Sequence, residues 1–174
     1  EVVKNCPLCV LVSREKNGGK GKALADGVRK ADELGLTHVL QIDSDGQHDA
    51  ERVAHFVEVS MKNPDAIICA YPEYDESAPK HRVNGRAIAN GWIHTVTLSK
   101  QIKDGMIGFR IYPVAPYVKL LNSHAIIDSR MGYDIDILVR LFWKNVPVIC
   151  ESVKVTYPVD GVSNFRLVRD NARI

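Results

Sequence analysis

The sequence predicts an α/β fold with a mostly parallel central sheet. Short β-branched runs alternate with segments of helical periodicity along the 174 residues. Such an alternation needs crossover helices between parallel strands. The composition, with 45% hydrophobic and 25% charged residues, is that of a folded domain with a substantial core. We therefore expect one domain over residues 1–174, because neither an internal repeat nor a low-complexity linker interrupts the pattern.

A βαβαβ succession occupies the first half of the chain. Apolar residues recur at helical spacing over residues 22–34, and Gly35 is a suitable C-cap. Asp49 is a suitable N-cap for a second helix, which would carry Phe56 and Met61 on its inward face and end at the following Asn-Pro pair. The strands expected around these helices are 8–13, 38–42 and 66–70.

The second half of the chain is less regular. Residues 71–85 are polar and contain prolines, which predicts a long loop. Pro113 and Pro116 predict a turn. The remaining expected elements are helices 86–99 and 134–144, strands 108–112 and 148–155, and a basic, loop-like tail over 160–174.

Charge and hydropathy exclude several classes of protein. The net charge is only +2, from 23 Lys+Arg against 21 Asp+Glu, whereas nucleic-acid binding usually needs a basic stripe. No apolar run approaches the ~18 residues of a membrane span. The four cysteines are Cys6, Cys9, Cys69 and Cys150. We interpret them as buried or incidental thiols, because a zinc site would need a second ligand pair and a redox pair a helix N-terminus. Free thiols favour a reducing cytoplasm.

Three carboxylates follow the strand expected at 38–42. Asp43, Asp45 and Asp49 lie within seven residues, and in an open α/β sheet ligands bind beyond the carboxyl ends of strands. Such carboxylates repel one another unless a cation compensates them, and Mg²⁺ or Mn²⁺ binds one or two together with diphosphate oxygens. The alternative is an ordinary turn, because Asp, Ser and Gly all favour turns.

A glycine-rich loop lies between the first expected strand and helix. Its sequence, Asn17-Gly18-Gly19-Lys20-Gly21-Lys22, could present backbone N–H groups and lysines to an anion. It is not a P-loop, because Ala23 follows where Ser or Thr is needed, and Leu24 replaces the third glycine of a dinucleotide fingerprint. A connecting turn is the alternative.

Two acids begin the helix expected at 134–144. Asp134 and Asp136 would stabilise the helix dipole, and Asp136 could pair with Arg140 one turn later. That structural explanation is sufficient. A functional explanation places one of these carboxylates as a general base beside the metal site.

Taken in order, these segments resemble glycosyltransferase family 2. The similar segments are Asn17–Gly21, Gln41–His48, Gly108–Arg110 and Asp136–Arg140, and the segment around Asp43 is also similar to the dolichyl-phosphate mannose synthase branch. The resemblance implies the GT-A fold, a Rossmann-related three-layer sandwich. It also implies that the chain is truncated, because the family's first strand is absent from the sequence. The donor nucleotide would contact Asn17, Gly19, Lys20, Gly21, Asp43 and Asp45.

The resemblance implies a metal-dependent, inverting transfer of a sugar from a UDP- or GDP-sugar. Asp45 would hold Mg²⁺ or Mn²⁺, and Asp43 would contact ribose or sugar hydroxyls. The base would be Asp136, although many relatives have Glu at that position. Asp134 would be the alternative base. The acceptor would be a hydroxyl or a lipid phosphate, which needs no base. Such a protein is expected in the cytoplasm, or peripherally at the inner face of the membrane.

Basic residues elsewhere are candidate contacts of the phosphates or the acceptor, since guanidinium groups suit phosphate. Exposed, solvated charge is the alternative explanation for each of them. Asn164 stands where the mannose synthase branch has a lysine. The candidates are His48, Arg82, Arg86, Arg110 and Arg166.

Two rival functions remain at this point. A sugar-phosphate nucleotidyltransferase has a similar sheet and metal-binding acids, but it normally carries its basic glycine-rich loop after the first strand. A non-catalytic nucleotide-binding fragment is the second rival. The released product discriminates among them, since transfer liberates a nucleoside diphosphate and activation liberates pyrophosphate.

Overall fold

A computed structural model describes residues 8–43, 51–74, 80–123, 125–129 and 132–155, with the backbone alone at 80–82. Helices and strands alternate through most of this part of the chain. In chain order they are α1 (Lys20–Glu33), β1 (His38–Gln41), α2 (Arg52–Lys62), β2 (Ile67–Glu73), α3 (Lys80–Thr97), β3 (Arg110–Pro113), α4 (Val114–Leu121), α5 (Tyr133–Trp143) and β4 (Val148–Lys154).

The described strands form one mixed sheet in the order β1-β3-β2-β4. Strand β2 pairs with β4 in parallel, and β3 runs antiparallel to both β1 and β2. Three of these strands therefore point the same way, which confirms the predicted α/β class with a mostly parallel sheet. Arg110 pairs with Gln41 on one side and with Cys69 on the other. The end of β1 is consequently level with the third residue of β2, and both strands run in the same direction.

Apolar side chains cover both faces of the sheet. Ile67 and Cys69 belong to a buried cluster with residues of α1, α3, α4 and α5. Ile68 and Ala70 belong to a second cluster, in which Phe56 of α2 stacks on Phe109 with ring centroids 4.4 Å apart. Neighbouring residues of β2 alternate between the two clusters because side chains along a strand alternate between faces. The sheet is thus the middle of three layers.

Helix α1 ends where the glycine pattern predicts. Gly35 has φ +70°, its N–H donates to the carbonyl of Asp32, and the N–H of Leu36 donates to the carbonyl of Ala31. These two bonds form a Schellman motif, which needs a left-handed residue. The prediction of Gly35 as the C-cap glycine is confirmed, and the turn directs the chain into β1.

Three predictions for the first half are wrong. Residues 8–13 form no strand, and Leu8 and Leu11 are exposed. A β-branched run becomes a strand only when another strand supplies the ladder partners, and no described strand pairs with it. Asp49 lies outside the described residues, and Glu51 takes the N-cap position of α2 instead. Met61 is exposed rather than inward.

The middle of the chain is more regular than its composition predicts. The expected loop at 71–85 is partly strand and partly helix, because β2 continues along β4 as far as Glu73 and α3 begins at Lys80. The expected turn at Pro113 and Pro116 is instead the start of α4. Proline is tolerated in the first helical turn, where its missing N–H has no intrahelical partner. The helix expected at 134–144 and the strand expected at 148–155 are confirmed as α5 and β4.

Cys69 and Cys150 are free thiols, as predicted. Cys69 is completely buried on β2 opposite Cys150 of β4, and burial raises the pKa of Cys69 from 9.0 to about 12. Cys9 is exposed, and Cys6 lies outside the described residues. Within the described ranges, no helix is both long and apolar enough to cross a bilayer.

The Cys69 thiol should make the free energy of unfolding fall as the pH rises from 9 to 12. Below pH 9 the thiol is neutral in the folded and the unfolded chain, so its stabilising contribution is complete; above pH 9 only the unfolded chain loses the proton. Between pH 9 and 12 the thiol makes the free energy of unfolding fall by about 1.4 kcal/mol per pH unit, and Cys69→Ala should remove this contribution.

Urea unfolding under reducing conditions at several pH values measures this slope. Cys9→Ala, which removes an exposed thiol, is the control and should keep the slope of the unsubstituted protein. A Cys69→Ala variant with an unchanged alkaline slope would contradict the burial-shifted pKa.

Candidate active site

Three segments that the sequence keeps far apart meet at the ammonium group of Lys20. Lys20 opens α1, Asp43 lies two residues beyond β1, and Asp134 is in the first turn of α5. The Lys20 Nζ lies 2.6 Å from Asp43 Oδ1 and 2.7 Å from Asp134 Oδ2. One cation thus bridges two carboxylates at the end of the sheet, and we call these three residues the Lys20 cluster.

The cluster is partly open to solvent, and its lysine keeps its positive charge. Burial alone would lower the pKa of Lys20, but the attraction of Asp134 and Asp43 outweighs it, so this pKa is raised above its ordinary value. The side chains of Lys20 and Asp43 are 32% and 29% exposed, whereas that of Asp134 is 9% exposed. The lysine therefore stays protonated, and the cluster opens on the Lys20–Asp43 side.

Asp134 is held from three directions. Gln41 Nε2 donates to its Oδ1 at 2.8 Å, and Lys20 donates to its Oδ2. Arg110 Nη1 donates to its backbone carbonyl at 2.7 Å. The carboxylate is therefore fixed in one orientation. Gln41 was missed in the sequence analysis, although a glutamine inside the apolar run 39–42 was a usable signal.

Arg110 lies beneath the cluster rather than in it. Its side chain is completely buried, and its Nη1 also donates to the Tyr112 hydroxyl at 3.0 Å. Burial alone would lower the pKa of Arg110, but the attraction of Tyr112, Cys69 and Asp134 outweighs this effect. The pKa is therefore raised above its ordinary value, and the guanidinium stays charged. The prediction that Arg110 contacts phosphate or acceptor is corrected, because its position on the fully buried strand β3 keeps it from the surface.

The glycine-rich loop is shaped by three residues of the predicted motif. Asn17 Oδ1 accepts a hydrogen bond from the N–H of Gly19 at 2.9 Å, and Gly19 has φ +86°. The N–H of Gly21 donates to the carbonyl of Ser129 at 3.1 Å. A Cβ at Gly21 would overlap the ring of Tyr133. The start of α1 is therefore packed directly on the start of α5, which brings Lys20 to Asp134.

Gly108 likewise permits a close contact, in this case with the Asp43 side chain. A Cβ at Gly108 would overlap the Asp43 carboxylate. The glycine of the Gly-Phe-Arg segment therefore leaves room for the Asp43 carboxylate, which lies within reach of Lys20.

Asp136 points to a different partner. Its Oδ1 accepts a hydrogen bond from Arg140 Nε at 2.5 Å, and its Oδ2 accepts one from the N–H of Asp128 at 3.0 Å. Arg140 also donates to the carbonyl of Ile126 at 2.9 Å. This confirms the predicted pairing one helical turn apart. The structure thus brings Asp134 to the Lys20 cluster, while Asp136 ties α5 to residues 125–129.

The remaining candidates lie elsewhere or outside the described residues. Asp45, His48 and Arg166 fall in undescribed segments, as does the side chain of Arg82. Arg86 of α3 donates through Nη1 to both carboxylate oxygens of Asp104, at 3.2 and 3.1 Å.

Among the described residues, Asp43 could serve as a ligand of a divalent cation. The described residues contain no group of three His, Cys, Asp or Glu side chains arranged to hold a metal ion. Asp43 is a carboxylate of the kind that Mg²⁺ and Mn²⁺ prefer, and one or two such ligands with substrate phosphates and water suffice for these ions. The donor chemistry at the end of β1 therefore fits such an ion, with Asp45 as the second carboxylate of the motif.

Comparison with known proteins agrees with this geometry. The model of the family described as glycosyl transferase family 2 matches residues 1–129. The chain belongs to glycosyltransferase family 2. The match ends before α5 begins, so the positions of Asp134 and Asp136 rest on the structure alone. A search of curated proteins gave no significant match.

Two solved structures share the fold. Glucosyl-3-phosphoglycerate synthase from Mycobacterium tuberculosis, in complex with Mn²⁺ and UDP-glucose, is 17% identical with a TM-score of 0.58, over 87% of this chain and 50% of that one. The same enzyme in complex with phosphoglyceric acid is 16% identical with a TM-score of 0.56, over 87% and 51%. The family 2 chain therefore has the predicted GT-A fold and spans about half the length of these neighbours.

Gly21→Ala should separate the starts of α1 and α5. Its new methyl group would overlap the Tyr133 ring, so Lys20 would move away from Asp134. We expect a loss of about 1–3 kcal/mol in the free energy of unfolding, as for other overpacked sites. Urea unfolding measures this loss.

Gly27→Ala is the matched control on the same helix. A Cβ at Gly27 has nothing within 4 Å, so alanine should stabilise the helix by about 0.5–1 kcal/mol. Equal effects of the two substitutions would show that the contact between α1 and α5 is loose.

Proposed function

We propose that this family 2 protein transfers a sugar, with inversion, from a nucleotide diphospho-sugar to an acceptor, in a reaction that depends on Mg²⁺ or Mn²⁺. The Lys20 cluster carries the proposal, because it joins the glycine-rich loop, the Asp-x-Asp segment and the acidic helix at one point. The neighbour that binds Mn²⁺ and UDP-glucose supports this class of donor. A hexose as the transferred sugar is part of the same proposal.

The donor half of the site is assigned to the glycine-rich loop and the end of β1. Asn17, Gly19 and Gly21 shape the loop, and Lys20 places a protonated ammonium beside Asp43. Asp45 would hold the cation, and Asp43 would contact ribose or sugar hydroxyls. When bound, the cation supplies compensation for the negative charge that develops on the leaving diphosphate.

We assign the base to Asp134 when the acceptor is a hydroxyl. An ionised carboxylate has about four lone-pair sites, and Lys20 and Gln41 engage two of those on Asp134. The carboxylate can therefore still accept the acceptor proton as the acceptor oxygen attacks the anomeric carbon. Asp136 is less suited, because Arg140 and the N–H of Asp128 hold it in the adjoining loop. A lipid phosphate acceptor is already ionised and would need neither base.

The acceptor and location are proposed at a coarser level. A small phosphorylated acceptor is supported by the neighbour bound to phosphoglyceric acid, and a lipid-linked acceptor by the similarity to the dolichyl-phosphate mannose synthase branch. Both acceptors are compatible with a protein of the cytoplasm or of the inner membrane face.

Asp134→Asn should lower kcat by about 10²–10⁴-fold with a hydroxyl acceptor, because the amide cannot take the proton. Donor affinity should change little, since the carboxamide oxygen still accepts from Lys20. A coupled assay of nucleoside diphosphate release measures turnover.

Asp136→Asn is the companion variant and should keep most of the turnover. If Asp136→Asn is folded but inactive while Asp134→Asn remains active, the base is Asp136. Release of pyrophosphate instead of nucleoside diphosphate would identify a nucleotidyltransferase.

Asp45→Ala should abolish Mn²⁺-dependent binding of UDP- or GDP-sugars, because it removes the proposed metal ligand. Isothermal titration calorimetry with and without Mn²⁺ measures this binding. Asp65→Ala, at an exposed aspartate after α2, is the control and should bind as the unsubstituted protein does. Unchanged metal-dependent binding in the Asp45→Ala variant would contradict the assignment.

A further inference from the structure

A small pocket lies at the end of β2, two strands away from the Lys20 cluster. It has a volume of about 210 Å³ and lies between the end of β2, the first half of α3 and the segment before β3. We call it the Lys103 pocket. Its lining includes Tyr71, Pro72, Arg86, Ala87, Asn90 and Lys103.

The sheet register places this pocket level with the proposed donor site. Gln41 and Cys69 both pair with Arg110, so β1 and β2 are level at this point, with β3 between them. Two strand spacings amount to about 10 Å. Asp43 and Tyr71 each lie two residues beyond these level positions, one at the Lys20 cluster and one in the Lys103 pocket. About 10 Å of sheet therefore separates the two sites.

The negative charge of Asp104, in the wall of the pocket, is compensated by Arg86. Its carboxylate is 2% exposed and accepts hydrogen bonds from Arg86 and Asn90 and from the N–H groups of Met106 and Ile107. The charges of Arg86 and Asp104 therefore cancel. This largely buried ion pair fixes the polar wall of the pocket.

Lys103 supplies the uncompensated charge. Its Nζ lies over the ring of Tyr71, 4.2 Å from the centroid, and in the described part of the chain it forms no ion pair with a carboxylate. A cation over an aromatic face is attracted to the ring without being neutralised. The pocket thus presents one positive charge, and the Tyr71 ring holds this charge in position before a ligand binds.

The volume of the pocket suits a small anion better than a nucleotide diphospho-sugar. Sites for drug-sized ligands measure about 300–1,000 Å³, and a nucleotide diphospho-sugar is at least as large as such ligands. A volume of about 210 Å³ instead fits a phosphate group on a short carbon skeleton. The apolar surfaces of Pro72 and Ala87 would contact the carbon part.

We propose that the Lys103 pocket binds a phosphate monoester, with Lys103 as the residue that selects it. Calling that ligand the acceptor rests on the function proposed above. A separation of about 10 Å, as two strand spacings give, would then let the phosphate anchor one end of the acceptor while its other end reaches the Lys20 cluster. The free phosphate ester and a lipid phosphate head group share this chemistry.

Lysine acylation footprinting on the intact protein tests the pocket without using activity. Glycerol 3-phosphate, inorganic phosphate and phosphatidic acid vesicles should each be added before acylation, with phosphatidylcholine vesicles as the blank. Mass spectrometry should show protection of Lys103 and none of Lys100, a nearby lysine outside the pocket lining. Protection by the soluble phosphates indicates a free phosphate ester, and protection by phosphatidic acid vesicles alone indicates a lipid head group. Protection in no arm, or equal protection of Lys100, overturns the proposal.

Calorimetry with glycerol 3-phosphate, or with phosphatidic acid vesicles where these alone protect, gives the second readout. Lys103→Gln should weaken binding about tenfold, as expected for loss of a charge-assisted contact, and Lys100→Gln should leave it unchanged. Equal affinities of the two variants overturn the role of Lys103. A parallel titration with Mn²⁺ and UDP-glucose reports on the donor site separately, so failure of the phosphate pocket and failure of the proposed transferase are distinguishable.

Discussion

A protonated lysine between two carboxylates is the contact on which the arrangement of this site depends. Asp43 and Asp134 come from a strand end and a helix start, and both would face each other as like charges without Lys20. The attraction of these acids outweighs the cost of burying the ammonium. The bridge therefore does two things at once. It compensates one of the two negative charges at this end of the sheet, and it ties α1 and α5 to the end of β1.

Two glycines make that bridge sterically possible. Gly21 lets α1 contact the Tyr133 ring, and Gly108 lets the Asp43 carboxylate lie against the backbone. Neither glycine is needed for a turn with positive φ at these positions. Their role is close approach, which explains why glycines recur in segments far apart in the chain that nevertheless meet at one site.

Much of the fold follows from local pattern, because periodic burial is written in the sequence. The strand and helix periods locate β1, β2, α5 and β4, and Gly35 locates the end of α1. The strand expected at 8–13 fails because pairing is a tertiary property that propensity does not contain. Helix α4 was hidden because prolines are as compatible with its first turn as with a loop.

The site was predictable in its segments but not in its individual roles. Asp134 and Asp136 are two residues apart, so they lie about 200° apart around the helix, and only packing decides which one faces β1. Gln41 then fixes the choice from the neighbouring strand. Arg110 illustrates the opposite case. Its residue type favours phosphate, but its place among the buried residues of β3 decides its position.

The buried guanidinium of Arg110 has a thermodynamic consequence. Its Nε and Nη2 have no hydrogen-bond partner in the described part of the chain, and a buried charged group whose polar atoms are incompletely paired subtracts from folding stability. The protein thus keeps this cation beneath the Lys20 cluster, at a cost in stability, and its Nη1 donates to the backbone carbonyl of Asp134. Stability could be recovered by exchanging this arginine for an uncharged side chain of similar volume, but only by loosening the acid above it. Arg110 therefore sets folding stability against the exact position of Asp134. Attempts to raise the thermal stability of this domain should not substitute this residue.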